Sequence, residues 1–563
     1  MARLPLNPHD AGFATGIVGR EERVIMDGSD IGTISEIRIG RIIAVSASQA
    51  VVLLEDGDTP ERSWPVEMGA LVKLHTRVST VYGMVSGLRV PLPSLGPTDQ
   101  ELKVVELELA GEAIREANGD PGPFRRGVSA HPALDEPVYL ATPADLALVY
   151  ARPSVATARI GTLHQDSSVP AYILTNELFG KHFSVVGTTG SGKSCVVAAI
   201  LGAVIDRNPH AHVMLLDPHG EYASAFGEQG LVLSPGGGLY LPFWLFNFEE
   251  IVEIVLGSDR EPDQAKILGE AVLAAKQAYF TKAGLDKTGT VDTPVPYRIS
   301  DVQRFLDMAM GSLNRPENVT AYQSVSARLQ ALQADARYAF VFGHRLTVRD
   351  ELSAILSQLL RIPVDGKPIT ILDVSGIPSE VLNVVVSVLC RLTFDFALWS
   401  ETPVPITIVC EEAHRYAPRD TGLGFEPAKR ALSRIAKEGR KYGISLCVVT
   451  QRPSDLAPGL LSECNTIFAL RMTNHDDQEI VRGAVPEASH GLMNFLPALR
   501  NGEAIAAGEG VSMPMRVCFD LLAEDRRPKS ATASFTASWS QESEGSQVER
   551  VVERWRRGER HMA

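Results

Sequence analysis

The first part of the chain alternates short apolar runs with clusters of Gly, Asp and Pro. The apolar runs lie at 38–45, 49–54, 70–76, 81–85 and 103–109. Many short strands separated by turn residues favour a small barrel or sandwich. We therefore predict an N-terminal β-barrel domain over residues 1–155.

From about Thr157 the pattern changes to apolar strands separated by helical stretches. The predicted strands are 182–187, 213–217, 369–373, 406–410, 444–450 and 466–472. This alternation predicts an α/β domain over 156–523, with a mostly parallel central sheet and helices on both faces.

Two further segments have a helical or polar pattern. Apolar residues at three-to-four spacing between 249 and 333 predict a helical insertion, extending to about 345. The Ser-, Glu- and Arg-rich tail at 524–563 is expected to be flexible, apart from a short amphipathic helix at 548–557.

Composition narrows the class of protein. Hydrophobic residues make up 45% of the 563 positions and charged residues 22%, the balance of a soluble globular protein. We expect neither a membrane-spanning run of roughly 18 apolar residues nor a secretory signal. The net charge of −14 argues against a surface that coats nucleic acid, so any such contact would be confined to a local patch or channel.

Cysteine usage predicts a reducing, cytoplasmic environment. The six cysteines form no CxxC pair, so neither a disulfide framework nor a zinc site is expected. Cys195, Cys410 and Cys447 fall inside apolar runs, and we expect such thiols to be buried.

A glycine-rich segment after the strand at 182–187 fits GxxxxGK[ST] at every position and opens a helix. Backbone N–H groups of such a loop cradle phosphates, the lysine contacts the β- and γ-phosphates, and the hydroxyl ligates Mg²⁺. The sequence therefore predicts that the chain binds ATP and Mg²⁺. The assigned nucleotide-binding residues are Gly187, Thr188, Thr189, Gly190, Ser191, Gly192, Lys193, Ser194 and Cys195.

Acidic residues follow two of the predicted strands. Glu411 and Glu412 end the strand at 406–410 in a Walker B pattern, in which the first acid holds Mg²⁺ and the second acts as general base. The usual first acid is Asp, and two solvated acids are the alternative. Asp217 ends the strand at 213–217 and could orient a Mg²⁺ water, so the predicted metal set is Ser194, Glu411 and Asp217.

A third block runs from Gly439 to Pro453 and supplies two further catalytic candidates. Gln451 follows a strand, where its amide could sense the γ-phosphate. Arg440 closes a basic helix and could stabilise transition-state charge across a subunit boundary; a solvated helix face is the alternative. The predicted catalytic residues are Lys193, Glu412, Arg440 and Gln451. We assign no role to His219, and we expect His182 and His414 to be structural.

Four segments together resemble the HerA branch of the HerA/FtsK ATPases. They are KHFSVVGTTGSGKS, DPHGEY, IVCEEAH and EGRKYGISLCVVTQRPSDL, with later echoes at 465–474 and 502–508. The resemblance covers about 157–519 and implies a RecA-like P-loop core. The β-rich N-terminus is similar to the HAS-type barrel of bacterial members. Glu411 departs from the commoner Asp, and the insertion matches no motif.

The resemblance also implies a function and partners. It implies a hexameric ring that pumps double-stranded DNA through its pore, with Arg440 acting in trans. A partner would dock on the barrel face: a NurA-type nuclease in DNA-end processing, or a sirtuin-like NAD hydrolase or another nuclease in antiviral defence. We expect pore contacts in the loop 419–429. The alternatives are an ATP-switched scaffold that regulates an effector and, less favoured by the motifs, a small-molecule kinase.

Overall fold

The fold was analysed in a computed structural model. It describes residues 36–55, 66–91, 102–116, 118–235, 237–257, 260–311, 318–343, 349–377, 379–420, 426–529, 535–540 and 545–557. Residues 421–425 of the expected pore loop lie outside the described residues, as does the start of the predicted barrel domain at 1–35.

Short antiparallel strands in the N-terminal region close into a barrel. Among the described residues the strands are β1 (Arg38–Val45), β2 (Gln49–Leu54), β3 (Leu71–His75), β4 (Ser79–Arg89), β5 (Val104–Arg115), β6 (Pro121–Arg126) and β7 (Pro137–Leu140). They pair in the order β2-β1-β7-β3-β4-β5, and β5 pairs back to β2. Because the strand order closes on itself, the N-terminal domain is a barrel and not a sandwich.

The barrel interior explains why the apolar runs predicted its strands. Alternate positions such as Ile42, Val52, Leu74 and Leu107 are fully buried inside it, as the two-residue strand period requires. The five predicted strands are confirmed. The sequence missed β6 and β7, because β6 (PGPFRR) contains two prolines and a glycine, which are rare in strands, and β7 has only four residues.

The second region is built on one large sheet. Its strands are β8 (Thr157–Leu163), β9 (Pro170–Leu174), β10 (His182–Val186), β11 (Val213–Asp217), β12 (Gly230–Pro235), β13 (Gly238–Leu239), β14 (Ile369–Asp373), β15 (Ile406–Cys410), β16 (Ile444–Thr450), β17 (Cys464–Ala469), β18 (Glu503–Gly508) and β19 (Met515–Phe519). Their order is β13-β12-β14-β11-β15-β16-β10-β17-β18-β19-β8-β9. The pairs from β13 to β17 are parallel and those from β17 to β9 are antiparallel, which confirms a mostly parallel sheet at the predicted strands.

The described helices cover this sheet, form the insertion or lie in the C-terminal tail. They are α1 (Pro143–Val149), α2 (Thr175–Phe179), α3 (Lys193–Ile205), α4 (Phe248–Leu256), α5 (Pro262–Ala283), α6 (Ile299–Gly311), α7 (Val319–Ala334), α8 (Ala339–Phe342), α9 (Leu352–Leu360), α10 (Ser379–Trp399), α11 (Glu426–Glu438), α12 (Pro458–Ser462), α13 (His475–Ala484), α14 (His490–Met493), α15 (Phe535–Trp539) and α16 (Gln547–Arg557). The predicted helical insertion corresponds to α4–α8, and α16 confirms the helix predicted in the tail. The domain limits themselves stay predictions.

One core helix has the composition of a membrane span. Val381–Trp399 within α10 is long and apolar enough to cross a bilayer, contrary to the sequence expectation, but 72% of its most apolar window is buried inside the protein. Its Arg391 pairs with Glu250 of α4 at 2.9 Å, and α10 packs on α11. These contacts identify α10 as a helix of the protein core.

The barrel is joined to the second region by specific polar contacts. Gly491 N donates to the buried Glu108 carboxylate of β5 at 3.0 Å. Arg126 of β6 donates to the carbonyl of Gly508 at 2.9 Å, and the Gln165 side chain donates to the carbonyl of Gly69. The barrel is thus held against β18 and the α14 segment.

Candidate nucleotide-binding and hydrolysis site

The glycine-rich loop lies where three parallel strands end. It follows β10, which pairs with β16 on one side and β17 on the other, and it leads into α3. Because carboxyl ends of parallel strands meet at one sheet edge, the strand-end residues Asp217, Glu411 and Gln451 lie at the same edge as the loop.

The loop backbone needs glycine at defined positions. Gly190 and Gly192 have φ values of 74° and 99°, a left-handed conformation that side chains with a Cβ disfavour. At Gly187 an added Cβ would lie 2.8 Å from Cβ of Leu470. Thr188 N donates to the carbonyl of Arg471 at 3.0 Å, which holds the loop from outside. Within the loop, Ser191 Oγ donates to the carbonyl of Thr188 at 2.7 Å.

Lys193 is buried at the first position of α3, and its Nζ donates to the carbonyl of Thr188 at 3.3 Å. Burial lowers the pKa of its ammonium, while Glu412, Glu411 and Glu221 act in the opposite direction. A poorly hydrated cation at a helix N-terminus has strong attraction for phosphate oxygens.

Ser194 is bonded to an acid that the sequence analysis did not assign. Its Oγ donates to Glu221 Oε2 at 2.9 Å, and the adjoining Tyr222 hydroxyl donates to the Glu411 carboxylate. The DPHGEY segment therefore links the P-loop hydroxyl to the first Walker B acid. The DPHGEY motif is visible in the sequence, but spacing alone does not show that Glu221 is the residue that faces the P-loop.

Glu411 is buried at the end of β15. Burial raises its pKa to about 8, the neighbouring Glu412 and Asp217 raise it too, and the Tyr222 hydrogen bond and Lys193 oppose the shift. The carboxyl groups of Glu411 and Glu221 and the hydroxyl of Ser194 supply hard oxygen donors, the type of ligand that Mg²⁺ prefers. The residues present fit this cation.

Glu412 adopts a strained backbone conformation. Its φ is 51°, a region that non-glycine residues occupy at a cost of about 1–3 kcal/mol and that concentrates at functional sites. Its Oε2 is buried without a hydrogen-bond partner among the described residues. His414 Nδ1 lies 3.3 Å from this oxygen but is hydrogen-bonded to Thr450 Oγ1, and His219 Nε2 lies 3.9 Å from Oε1. The strain and the unsatisfied oxygen suit a general base that awaits a water molecule.

Asp217 organises a turn. Its Oδ1 accepts from Gly220 N at 2.8 Å and from His219 N at 3.2 Å, and its Oδ2 accepts from Tyr222 N at 2.9 Å. Both oxygens are thus engaged by backbone groups. Direct metal ligation by Asp217 stays a prediction, and Glu221 is the acid that contacts Ser194.

Gln451 and Arg440 lie at opposite ends of β16. The Thr189 hydroxyl donates to Oε1 of Gln451, so Gln451 is part of the P-loop environment. Arg440 is exposed and precedes β16; the strand alone separates the two by roughly 20 Å at about 3.3 Å per residue. The structure does not bring Arg440 to the chain's own P-loop.

Three cysteines and two histidines test further sequence predictions. The expectation that Cys195 is buried is wrong, since it lies on an exposed face of the first turn of α3; Cys410 and Cys447 are buried as expected. His182 accepts from Leu446 N at 3.0 Å, which is a structural contact. His414 bonds Thr450 Oγ1 at 3.0 Å and also borders Glu412.

Comparisons with known proteins identify relatives of this chain, and the family match includes the P-loop and Glu221. Residues 158–393 match the family described as Helicase HerA, central domain. The DNA double-strand break repair helicase HerA of Pyrococcus furiosus is 26% identical over 469 residues, covering 76% of this chain and 78% of the relative. HerA of Saccharolobus solfataricus is 24% identical and covers 86% and 92% of the two chains.

The chain contains a HerA central domain. It is similar to HerA helicases over most of its length. It is an ATP hydrolase of the P-loop class, and the central domain runs from β8 into α10. These two HerA relatives are archaeal and leave the bacterial origin suggested by the resemblance untested. Among solved structures, VirB4 of Thermoanaerobacter pseudethanolicus is similar at 15% identity with a TM-score of 0.48, covering 67% of this chain and 99% of that chain.

Proposed function

We propose that this HerA homologue is a hexameric ring ATPase that moves double-stranded DNA through its central pore. The observation that carries the proposal is the position of Arg440 at the sheet edge opposite the P-loop. An arginine that completes a hydrolysis site must then come from a neighbouring subunit. The relatives named as DNA double-strand break repair helicases support DNA as the substrate.

The site residues divide the work of ATP hydrolysis. Lys193 binds the β- and γ-phosphates, while Ser194 and Glu411, with Glu221 and Asp217 nearby, hold Mg²⁺. The cation supplies charge neutralisation on the phosphate oxygens. Glu412 orients the attacking water and accepts its proton. Gln451, bonded to Thr189 of the P-loop, is placed to respond to the γ-phosphate.

Arg440 completes the site of the next subunit. Its side chain is exposed and carries its charge near Glu509, whose pKa is lowered by Lys181 foremost and also by Arg440. A guanidinium held at a subunit boundary stabilises the charge on the transferring phosphoryl group. Loss or gain of that phosphate would therefore be sensed by two subunits.

DNA contacts are local, because the chain carries a net charge of −14. A ring needs only a few basic or backbone groups per subunit around its pore. We keep residues 419–429 as the candidate for these contacts, but the prediction of a loop is wrong at 426–429, which form the first turn of α11.

The barrel is the proposed docking surface for an effector, either a nuclease or a sirtuin-like NAD hydrolase. Its described surface exposes large apolar side chains, among them Ile43, Val78, Leu88 and Ile114. Val78 lies beside the end of β5 that carries Ile114, since Arg115 N donates to the carbonyl of Val78, and adjoining exposed apolar groups favour protein contacts more than scattered ones. The setting would be cytoplasmic DNA repair or antiviral defence.

The test is ATP hydrolysis by the purified chain with and without long duplex DNA, alone and with its co-purifying partner. We expect duplex DNA to stimulate hydrolysis and the stimulation to fall steeply with salt, because phosphate contacts release counterions. Glu412→Gln serves as the control that binds ATP without turnover. If duplex DNA neither binds nor stimulates under either condition, translocation is excluded. Full cellular function of Glu412→Gln would instead support an ATP-switched scaffold.

A further inference from the structure

Three potential metal ligands converge on neighbouring antiparallel strands, away from the hydrolysis site. His164 follows β8, Cys518 lies on β19 and Glu503 begins β18. Glu503 is the register partner of Cys518, and Cys518 is the partner of Thr162, two residues before His164. The sheet therefore brings together three ligand types that the sequence keeps apart.

The donor atoms are spaced like the corners of a coordination tetrahedron. Nδ1 of His164 lies 3.4 Å from Oε1 of Glu503 and 3.8 Å from Sγ of Cys518, and Sγ lies 4.0 Å from the same Oε1. Tetrahedral Zn²⁺ with ordinary bond lengths sets these edges at about 3.4–3.6 Å. A contraction of a few tenths of an ångström would bring all three donors to bonding distance.

Glu503 is held so that one oxygen remains for a ligand. Its Oε2 accepts from the Arg516 guanidinium at 2.7 Å and from Arg500 N at 3.1 Å, and its side chain is only 7% exposed. Oε1 faces the imidazole and the thiol. Such partners of a ligating carboxylate fix its orientation in metal sites.

We propose that His164, Glu503 and Cys518 bind one Zn²⁺ ion, with water as the fourth ligand. A thiolate, a carboxylate and a neutral imidazole carry two negative charges together, which balance the cation. The Cys518 thiol releases its proton to solvent on binding. Of the three ligands, His164 lines the cleft of 430 Å³ between the barrel and the ATPase sheet, so solvent reaches the site from its side.

The ion would brace the strand edge that supports the P-loop. Gly502, next to Glu503, donates through its N–H to the carbonyl of Ser191 at 3.4 Å and accepts from Phe519 N at 2.9 Å. Zinc would tie β8, β18 and β19 together beside these contacts. The role is structural and independent of the proposed action on DNA.

The experiment uses the full-length chain purified without a metal-affinity tag. Elemental analysis after dialysis should find one Zn²⁺ per chain, and zinc should raise the melting temperature of metal-depleted protein. Substitution with Co²⁺ should give the visible spectrum of a tetrahedral cobalt–thiolate site. We expect His164→Ala and Cys518→Ser each to weaken Zn²⁺ affinity by about 100-fold or more, at or above the range known for lost supporting contacts.

Matched controls separate ligation from general damage. His210→Ala changes an exposed histidine outside the cluster, and Cys195→Ser removes another accessible thiol; both should retain wild-type zinc content. Metal-depleted Cys518→Ser should melt with metal-depleted wild type, and zinc should stabilise only the latter. Zinc-free wild-type protein that gives no cobalt–thiolate spectrum, or unchanged affinity in both ligand variants, would overturn the proposal.

Discussion

Glu412 combines three structural features that support its proposed role as the general base. It has a left-handed backbone, a buried oxygen without a partner among the described residues, and two histidine rings beside its carboxylate. A strained backbone is common at functional sites, and together these features support the proposed role of Glu412 as the general base.

Replacing Glu412 by Gln should separate ATP binding from hydrolysis. We expect kcat to fall by about 10²–10⁴-fold, the usual contribution of a general base, while nucleotide affinity stays near the wild-type value. Single-turnover hydrolysis and equilibrium nucleotide binding measure the two effects. Glu401→Gln, at an exposed position before β15, is the matched control. A variant that still turns over at the wild-type rate would remove Glu412 from the reaction.

Glu221 is predicted to support the metal through Ser194. Glu221→Gln keeps the size of the side chain but removes the charge that accepts the Ser194 hydrogen bond. We expect the Mg²⁺ concentration for half-maximal ATPase activity to rise about 10-fold or more, the range for partners of metal ligands. Glu228→Gln, an exposed acid in the same segment, should leave it unchanged. An unaltered Mg²⁺ requirement in Glu221→Gln would assign the residue to loop structure alone.

At the scale of elements, a buried ion pair joins helix α4 of the insertion to helix α10 of the ATPase domain. The guanidinium of Arg391 in α10 contacts both oxygens of Glu250 in α4 at 2.9–3.1 Å, and Ser387 donates to the same carboxylate at 2.8 Å. Glu250 also caps α4 through the backbone of Asn247. One acid therefore fixes the start of the insertion against α10.

Arg391→Met should destabilise the protein strongly, because it leaves the Glu250 carboxylate buried and uncompensated. Removing one partner of a buried pair costs about 3–5 kcal/mol, measurable as a lower urea midpoint. Arg304→Met breaks the exposed pair with Asp301 and should cost at most about 1 kcal/mol. Equal losses in the two variants would show that the Arg391 pair is no more important than a surface contact.

At the scale of the whole molecule, the residues proposed to be catalytic lie at both ends of the parallel strands. Glu411, Glu412 and the P-loop lie at the carboxyl ends of parallel strands, whereas Arg440 lies before β16 at the other edge. In a ring with head-to-tail contacts, opposite faces of successive subunits meet. Under the proposed ring arrangement, hydrolysis would require two neighbouring subunits.

Mixing two inactive variants should restore activity if Arg440 acts on a neighbouring site. Arg440→Ala supplies an intact P-loop and Lys193→Ala supplies an intact arginine. Random mixing in equal amounts therefore makes about a quarter of all subunit interfaces competent. ATPase rates of the mixture and of each variant alone measure the recovery. Lys441→Ala, at the neighbouring exposed lysine, should stay active by itself. Without recovery in a mixture shown to co-assemble, the trans assignment fails.

Short-range patterns were sufficient for the elements and for the contiguous motifs. The runs at 38–45, 49–54 and 213–217 coincide with β1, β2 and β11, because alternation or continuous burial is set by neighbours along the chain. One predicted strand was displaced: β17 is Cys464–Ala469 rather than 466–472. The chain leaves the sheet there, and the carbonyl of Arg471 accepts a bond from the P-loop at Thr188.

The sequence by itself determined the strand and helix pattern and the chemistry of the P-loop and Walker B segments, because each is encoded in consecutive residues. Only the tertiary structure decided that Glu221 faces Ser194, that Arg440 lies away from its own P-loop, and that His164, Glu503 and Cys518 meet. Those relations depend on strand order and on helix packing. Both are fixed by burial of apolar surface between segments far apart in the chain, and no local spacing records which strands become neighbours.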